Sequence, residues 1–210
     1  MSSPSTRLGL AVGLAAWCLS LGLSATARAE SPSQVVDGLA SQVVVVLKDP
    51  KLDTEQKRQR IQQIAYTAID FVTLSKLVLA RNYAKFSPEQ LARFQDEFKQ
   101  HLSMTYGRNV DNYRNEKVDI LGERTETRGD VTVQSKILRG GGQDIVVDYR
   151  LRQTDGTWRI IDVIIEGVSL VSNFRSQFQD IVAQGGPDKL LELLKEKNAS
   201  GESLKAPGLQ

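Results

Sequence analysis

The sequence is poor in the residues that most site chemistry needs. Its 210 residues include one cysteine, Cys18, and one histidine, His101. A zinc site of Cys/His type therefore cannot be assembled, and stability has to come from the core rather than from disulfides. A Ser-His-acid triad would have to use His101, which lies in Phe98-Lys99-Gln100-His101-Leu102 beside an apolar helical stripe with no nucleophile marked near it. The glycines make no phosphate loop. Gly140-Gly141-Gly142 is not followed by Lys and Ser or Thr, and it lies between strand-like runs as a hairpin turn. An excess of one charge is lacking too. Lys and Arg number 27 against 25 Asp and Glu, and Arg7 and Arg28 fall in an N-terminal leader, so the remainder is balanced. Such a chain is a poor partner for nucleic acid, whose binding depends on phosphate neutralisation. No catalytic residues, metal ligands or cofactors are expected.

What is present begins with that leader. Arg7 precedes an uncharged apolar run from Leu8 to Leu23, and Ala27-Arg28-Ala29 has the small-x-small pattern that signal peptidase accepts. Residues 1–29 read as a signal peptide cut before Glu30, which sends the chain to the periplasm. The alternative, an uncleaved anchor, is disfavoured because the run is shorter than the ~18–20 residues that span a bilayer. Cys18 follows Trp17, where a lipoprotein site would need a small residue.

The first half after the leader has helical spacing. Val35, Val36, Leu39, Val43, Val46 and Leu47 predict a helix that stops before Pro50, although the β-branched run Val43 to Val46 is poor helix material. Thr54 is a candidate cap for a second helix, with Ile61, Ile64, Ala65, Ala68 and Val72 on one face and a break near Asp70. Ser87-Pro88-Glu89-Gln90 reads as a helix start, and Leu91, Phe94, Phe98, Leu102, Thr105 and Tyr106 follow as a stripe.

After Asn115 the period becomes two. Val118 and Ile120, then Val131, Val133 and Ile137, then Ile145, Val147, Tyr149 and Leu151, alternate with polar residues, and Trp158 to Ile165 is apolar on both faces apart from Arg159 and Asp162. Asp155-Gly156 is a tight hairpin turn. A helix through Val168, Val171, Phe174, Phe178, Ile181 and Val182 is expected to stop at Gly185-Gly186-Pro187, with a short terminal helix over Asp188–Lys197. The predicted fold is α+β: helices, a four-stranded antiparallel curved meander, then helices, with an apolar cavity between the layers. Residues 30–198 are expected to form one domain and 199–210 a disordered tail.

The segment from Val163 to Phe178 resembles the signature of the MlaC family, periplasmic phospholipid-binding proteins also called toluene-tolerance auxiliary proteins. The matching positions are Trp158, Asp162, Glu166, Gly167, Val168, Ser169, Leu170, Arg175, Gln177 and Phe178. A second block, Ser87 to Gln90 with Phe94, Phe98, Leu102 and Tyr106-Gly107, also looks like the family. The resemblance runs from about Val35 to Lys197. The chain departs from it at Leu79-Ala80 and Tyr83-Ala84, where the family often carries Leu-Gly before an aromatic pair. The resemblance implies an NTF2-like fold and a soluble carrier, most simply a monomer. It would shuttle phospholipid between an outer-membrane complex of the MlaA lipoprotein type and an inner-membrane Mla ABC transporter with an MCE-domain subunit.

The candidate acyl-chain pocket consists of inward-facing residues: Phe71, Leu74, Phe94, Phe98, Leu102, Val133, Ile137, Val147, Tyr149, Ile161, Val163, Ile165, Val171 and Phe174. Each of these, taken alone, is better read as ordinary core. Arg81, Arg108 and Arg175 are candidates for a phosphate at the mouth, or solvated surface charges. Other readings stay open. One is a small-substrate isomerase or dehydratase using Asp162, Glu166 and Tyr149. Another is a ligand-free periplasmic interaction module, and a third is a hopanoid-associated relative with different cargo.

Overall fold

The computed structural model describes residues 30–107, 115–139 and 142–204. The leader, Arg108, and Gly140 and Gly141 of the expected hairpin lie outside the described residues.

Four helices come first, and a polar side chain sets where each of them starts. Helix α1 (Pro32–Lys48) begins at Ser31, whose Oγ accepts the Gln34 amide while Gln34 Oε1 accepts the Ser31 amide at 2.8 Å. The valine run does not break it, because Val36 and Val46 are buried and tertiary packing outweighs propensity. Helix α2 (Thr54–Ala68) is capped by Asp53 rather than Thr54: Asp53 Oδ1 accepts the Gln56 amide at 2.8 Å and Gln56 returns the bond. The carboxylate one residue upstream thus takes the cap and leaves Thr54 as the first helical residue. Asp70 ends the α2 pattern and caps α3 (Phe71–Leu79), accepting the Thr73 amide at 2.9 Å. A 3-10 segment, Ala80–Lys85, leads to α4 (Pro88–Gly107), where Ser87 and Gln90 exchange bonds at 2.9 and 3.2 Å.

The sheet is an antiparallel meander in the order β1 to β5: Lys117–Thr125, Val131–Leu138, Ile145–Thr154, Thr157–Ile165 and Val168–Ser169. It has five strands rather than four. Glu166 (φ 49°) and Gly167 (φ 79°) turn the chain so tightly that Val168 and Ser169 pair back onto Ile165 and Ile164 before the helix starts. The β3–β4 turn uses the same left-handed pair at Asp155 and Gly156, as the sequence predicts.

Helix α5 (Leu170–Ser200) contains both expected C-terminal helices as arms of one bent element. The bend is at Gly185 and Gly186, and the φ of 72° and ψ of −171° at Gly186 suit glycine alone. The second arm runs on past Lys197 through Ser200, and Gly201 caps it. Past α5 the chain stays against the helices as far as Leu204, whose side chain packs on the helical core.

Two apolar clusters result. One belongs to the helices and centres on four rings: Phe98 lies 5.4 Å from Phe94, 5.1 Å from Phe174 and 5.4 Å from Phe178. The other joins Val36 of α1 to Val133, Leu151 and Ile160 of the sheet. Ile69 packs against both, and the Asp70 amide donates to Ile160 O at 2.9 Å, tying the α2–α3 junction to β4.

Candidate functional site

Where these clusters face each other a small apolar cavity remains, with a volume of about 30 Å³. The helices contribute Ile69, Leu74, Val78, Phe98, Leu102, Leu170 and Val171, and β4 contributes Ile160 to Val163. Strand register extends the sheet's wall. Val133, Tyr149 and Val163 are cross-strand neighbours, and so are Val147 and Ile165; Ile137 shares the Val133 face because side chains on a strand alternate. Toward the β2–β3 turn this face is less covered. Ile137, Ile145 and Ile165 are half-buried there, and Val168, paired with Ile165, is 47% exposed. An apolar strip thus leads from the cavity to one rim of the sheet.

Of the residues the sequence nominates, Leu74, Phe98, Leu102, Ile161, Val163 and Val171 line the cavity. Val133, Ile137, Val147, Tyr149 and Ile165 lie on the sheet face just described. Phe71, Phe94 and Phe174 do not line the cavity. Phe94 and Phe174 are fully buried among rings of the helical core, and Phe71 packs edge-on to Tyr66 at 5.4 Å with Lys99 Nζ over its ring. A single helical stripe covers both the seam with α5 and the cavity wall, and spacing alone does not divide them. The cavity residues outside the nominated set are Ile69, Val78, Ile160, Asp162 and Leu170. Val78 is legible as the residue one turn after Leu74. Ile160 owes its place to a bulge: the register shifts between Arg150 and Leu151, which pair with Asp162 and Ile160, so Ile161 is the extra residue.

The polar residues of the region are committed to structure. Asp162, 2% exposed, accepts Ser169 Oγ at 2.6 Å and the Val171 amide at 3.1 Å, with Arg150 Nη1 3.6 Å away. Burial pushes its carboxyl pKa up, against the pull of those donors and of Arg150. Glu166 Oε1 accepts the Val146 amide, and the Glu166 amide donates to Val146 O at 2.9 Å, so this side chain secures the start of β3. Tyr149 lies on the opposite ladder face from Asp162, since it pairs with Val163 while Arg150 pairs with Asp162. Enclosure pushes its phenol up to about 12. These three residues are not brought together as an acid–base set. Arg175 donates Nε to Leu77 O at 2.8 Å and closes the end of α3, whereas Arg81 is exposed.

Two hydroxyls at the end of α4 escape the reading from sequence. Thr105 Oγ1 and Tyr106 Oη are buried with no hydrogen-bond partner among the described residues. Burial raises the Tyr106 pKa. A second recess, about 200 Å³ and more open, lies between α1, α2 and the start of β4. Its wall mixes Val35, Leu39 and Trp158 with Glu30, Gln42 and Arg159, which suits it less to an alkyl chain.

The sequence pattern shared by MlaC proteins matches residues 37–196, which takes in every wall of the cavity. The chain belongs to the MlaC family. It is 30% identical over 190 residues to the toluene tolerance protein ttg2D of Pseudomonas putida, covering 87% of this chain and 85% of that one. It is 22% identical over 169 residues to the intermembrane phospholipid transport system binding protein MlaC of Haemophilus influenzae, covering 78% of each. Its fold matches the solved structure of a phospholipid-binding protein from Ralstonia solanacearum in complex with a phospholipid. The TM-score is 0.72 at 28% identity, covering 80% of this chain and 96% of that one. As an MlaC-family fold, the α+β arrangement of helices over an antiparallel sheet is the architecture its sequence predicts.

Proposed function

We propose that the protein is a soluble periplasmic carrier of phospholipid, holding acyl chains between the sheet face of Val133, Val147, Tyr149 and Val163 and the helical wall of Leu74, Phe98 and Leu102. The observation that carries this reading is the apolar cavity between two separate core clusters, continuous with an apolar strip at the sheet rim. The structural likeness to a protein solved with a phospholipid supports it.

The energetics favour such a design. Each buried CH₂ is worth ~0.8 kcal/mol, so two long chains exposed to water would cost about 20–25 kcal/mol. A carrier must cover both tails, but a bilayer is also apolar, so membrane and pocket nearly cancel and transfer is close to neutral. Hydrogen bonds to the chains are unnecessary, which agrees with polar side chains that serve turns and caps. A cavity of about 30 Å³ holds roughly one water's share of volume, whereas sites for organic ligands run to about 300–1,000 Å³. Loading therefore requires the helical wall to move off the sheet, and the ties that resist this are those at Asp70–Ile160 and Asp162–Val171.

Family membership suggests the exchange partners: an outer-membrane lipoprotein complex of the MlaA type and an inner-membrane ABC transporter with an MCE-domain subunit. Residues 1–29 would be removed on export. The test is vesicle-to-vesicle transfer of a fluorescent phospholipid. Transfer that rises in proportion to protein concentration supports the carrier; a rate equal to that of vesicles alone overturns it.

A further inference from the structure

His101 is fully buried on α4, between Phe98 and Leu102 of the cavity wall in sequence. Its ring is edge-on to Phe174 of the first α5 arm at 6.1 Å. Its Nδ1 lies 3.1 Å from Asn198 Oδ1 on the second arm, and its Nε2 accepts the backbone amide of Leu204 at 3.2 Å. An amide N–H only donates, so Nε2 must keep its lone pair and the ring proton resides on Nδ1. Asn198 is oriented to receive that proton, because its Nδ2 donates to Glu97 O at 2.9 Å and to Glu97 Oε2 at 2.8 Å. The contacts on both sides thus specify one tautomer of a neutral ring.

Leu204 lies beyond the end of α5. Gly201, with φ 71°, turns the chain, and the Glu202 amide donates to Lys197 O at 3.0 Å. The Leu204 side chain then reaches the helical core. The charged groups that bear on the ring are few. Lys197 acts from α5 and is itself paired with Glu202, while Glu97 on α4 acts through Asn198. Lys99, also on α4, is turned to the Tyr66 and Phe71 rings.

We propose that residues 201–204 form an acid-released strap, latched across α4 by the neutral imidazole of His101. Protonation places a hydrogen on Nε2, facing the Leu204 amide. The acceptor is lost and two donors oppose each other, so the strap detaches. Burial is the main cause that lowers the ring's pKa below its usual 6.5, with Lys197 adding to it and the Asn198 bond opposing. The unfolded chain therefore takes up this proton before the folded one. Stability supplied by the neutral ring is present above pH 6.5 and is lost as the pH falls toward and through the folded value. The latch is shut at neutral pH.

The test is NMR of the ¹⁵N-labelled protein from pH 8 to pH 4.5. The imidazole shifts are followed together with the Leu204 amide protection factor, in the native protein and in His101→Gln. The expected result is a ring protonated at Nδ1 at pH 8 and a midpoint below 6.5. Leu204 protection should fall at least tenfold in step with ring protonation, and the variant should show no such step. A ring protonated at Nε2 at pH 8, or Leu204 protection that survives ring protonation, overturns the proposal. Lipid loading enters neither readout, so the outcome is independent of the carrier reading.

Discussion

The Asp162 carboxylate accepts the Val171 amide at 3.1 Å and so fixes the first turn of α5 to β4. With Ser169 Oγ on its other oxygen, the side chain binds together the turn, the short fifth strand and the helix start. Asp162→Ala leaves the amide and hydroxyl without their acceptor and is expected to cost about 1–3 kcal/mol in urea unfolding. Asp162→Asn keeps an oxygen for Val171 and should cost less at pH 7. Because burial raises the folded pKa above the usual carboxylate value, the stability linked to this group is fully present below the unfolded value and declines as pH rises through the folded one. The native protein should therefore gain on Asp162→Asn as pH is lowered from 7 toward 4. A flat or opposite trend contradicts the assignment.

Ala80 carries backbone strain. Its φ of 47° and ψ of −122° lie in a region that favours glycine, at the point where α3 ends and the 3-10 segment begins. Glycine, with no Cβ, adopts this backbone shape without the steric cost that alanine bears. Ala80→Gly should stabilise the protein by roughly 1 kcal/mol, relief of strain outweighing the extra freedom of the unfolded chain. An unchanged or lower urea midpoint would show that the residue is not strained.

Val163 is half-buried in the cavity wall, beside Tyr149. A carboxylate there would have to share an apolar space with an alkyl chain, so Val163→Glu is expected to fold yet lose copurifying phospholipid. Val147→Glu should do the same from the adjacent strand β3, where Val147 pairs with Ile165. Val72→Glu, on an exposed face of α3, is the matched control and should retain lipid. A folded Val163→Glu protein that keeps its lipid would place the cargo elsewhere.

Much of this architecture is written in local pattern. The Ser87–Gln90 box, the break at Asp70 and the Asp155-Gly156 turn are short-range devices, and each stands where its residues predict. What the pattern hides is tertiary in origin. The bulge at Ile161 puts Ile160 opposite Leu151 and into the cavity wall, and nothing in the alternation of Trp158 to Ile165 signals it. The aromatic stripe of α4 divides between a filled seam and a cavity wall according to which neighbour α5 presents. Residues 199–204 look like a polar tail in sequence, but bonds to Lys197 hold Gly201 and Glu202, and the distant His101 and the helical core hold Leu204.

Native mass spectrometry of the protein isolated from a bacterial periplasm without detergent tests the central claim most directly. A bound mass equal to one or more phospholipids, lost in Val163→Glu and kept in Val72→Glu, is the expected result. A bare protein mass that stays unchanged after incubation with phospholipid vesicles would contradict the account and leave a protein whose two core clusters enclose no cargo.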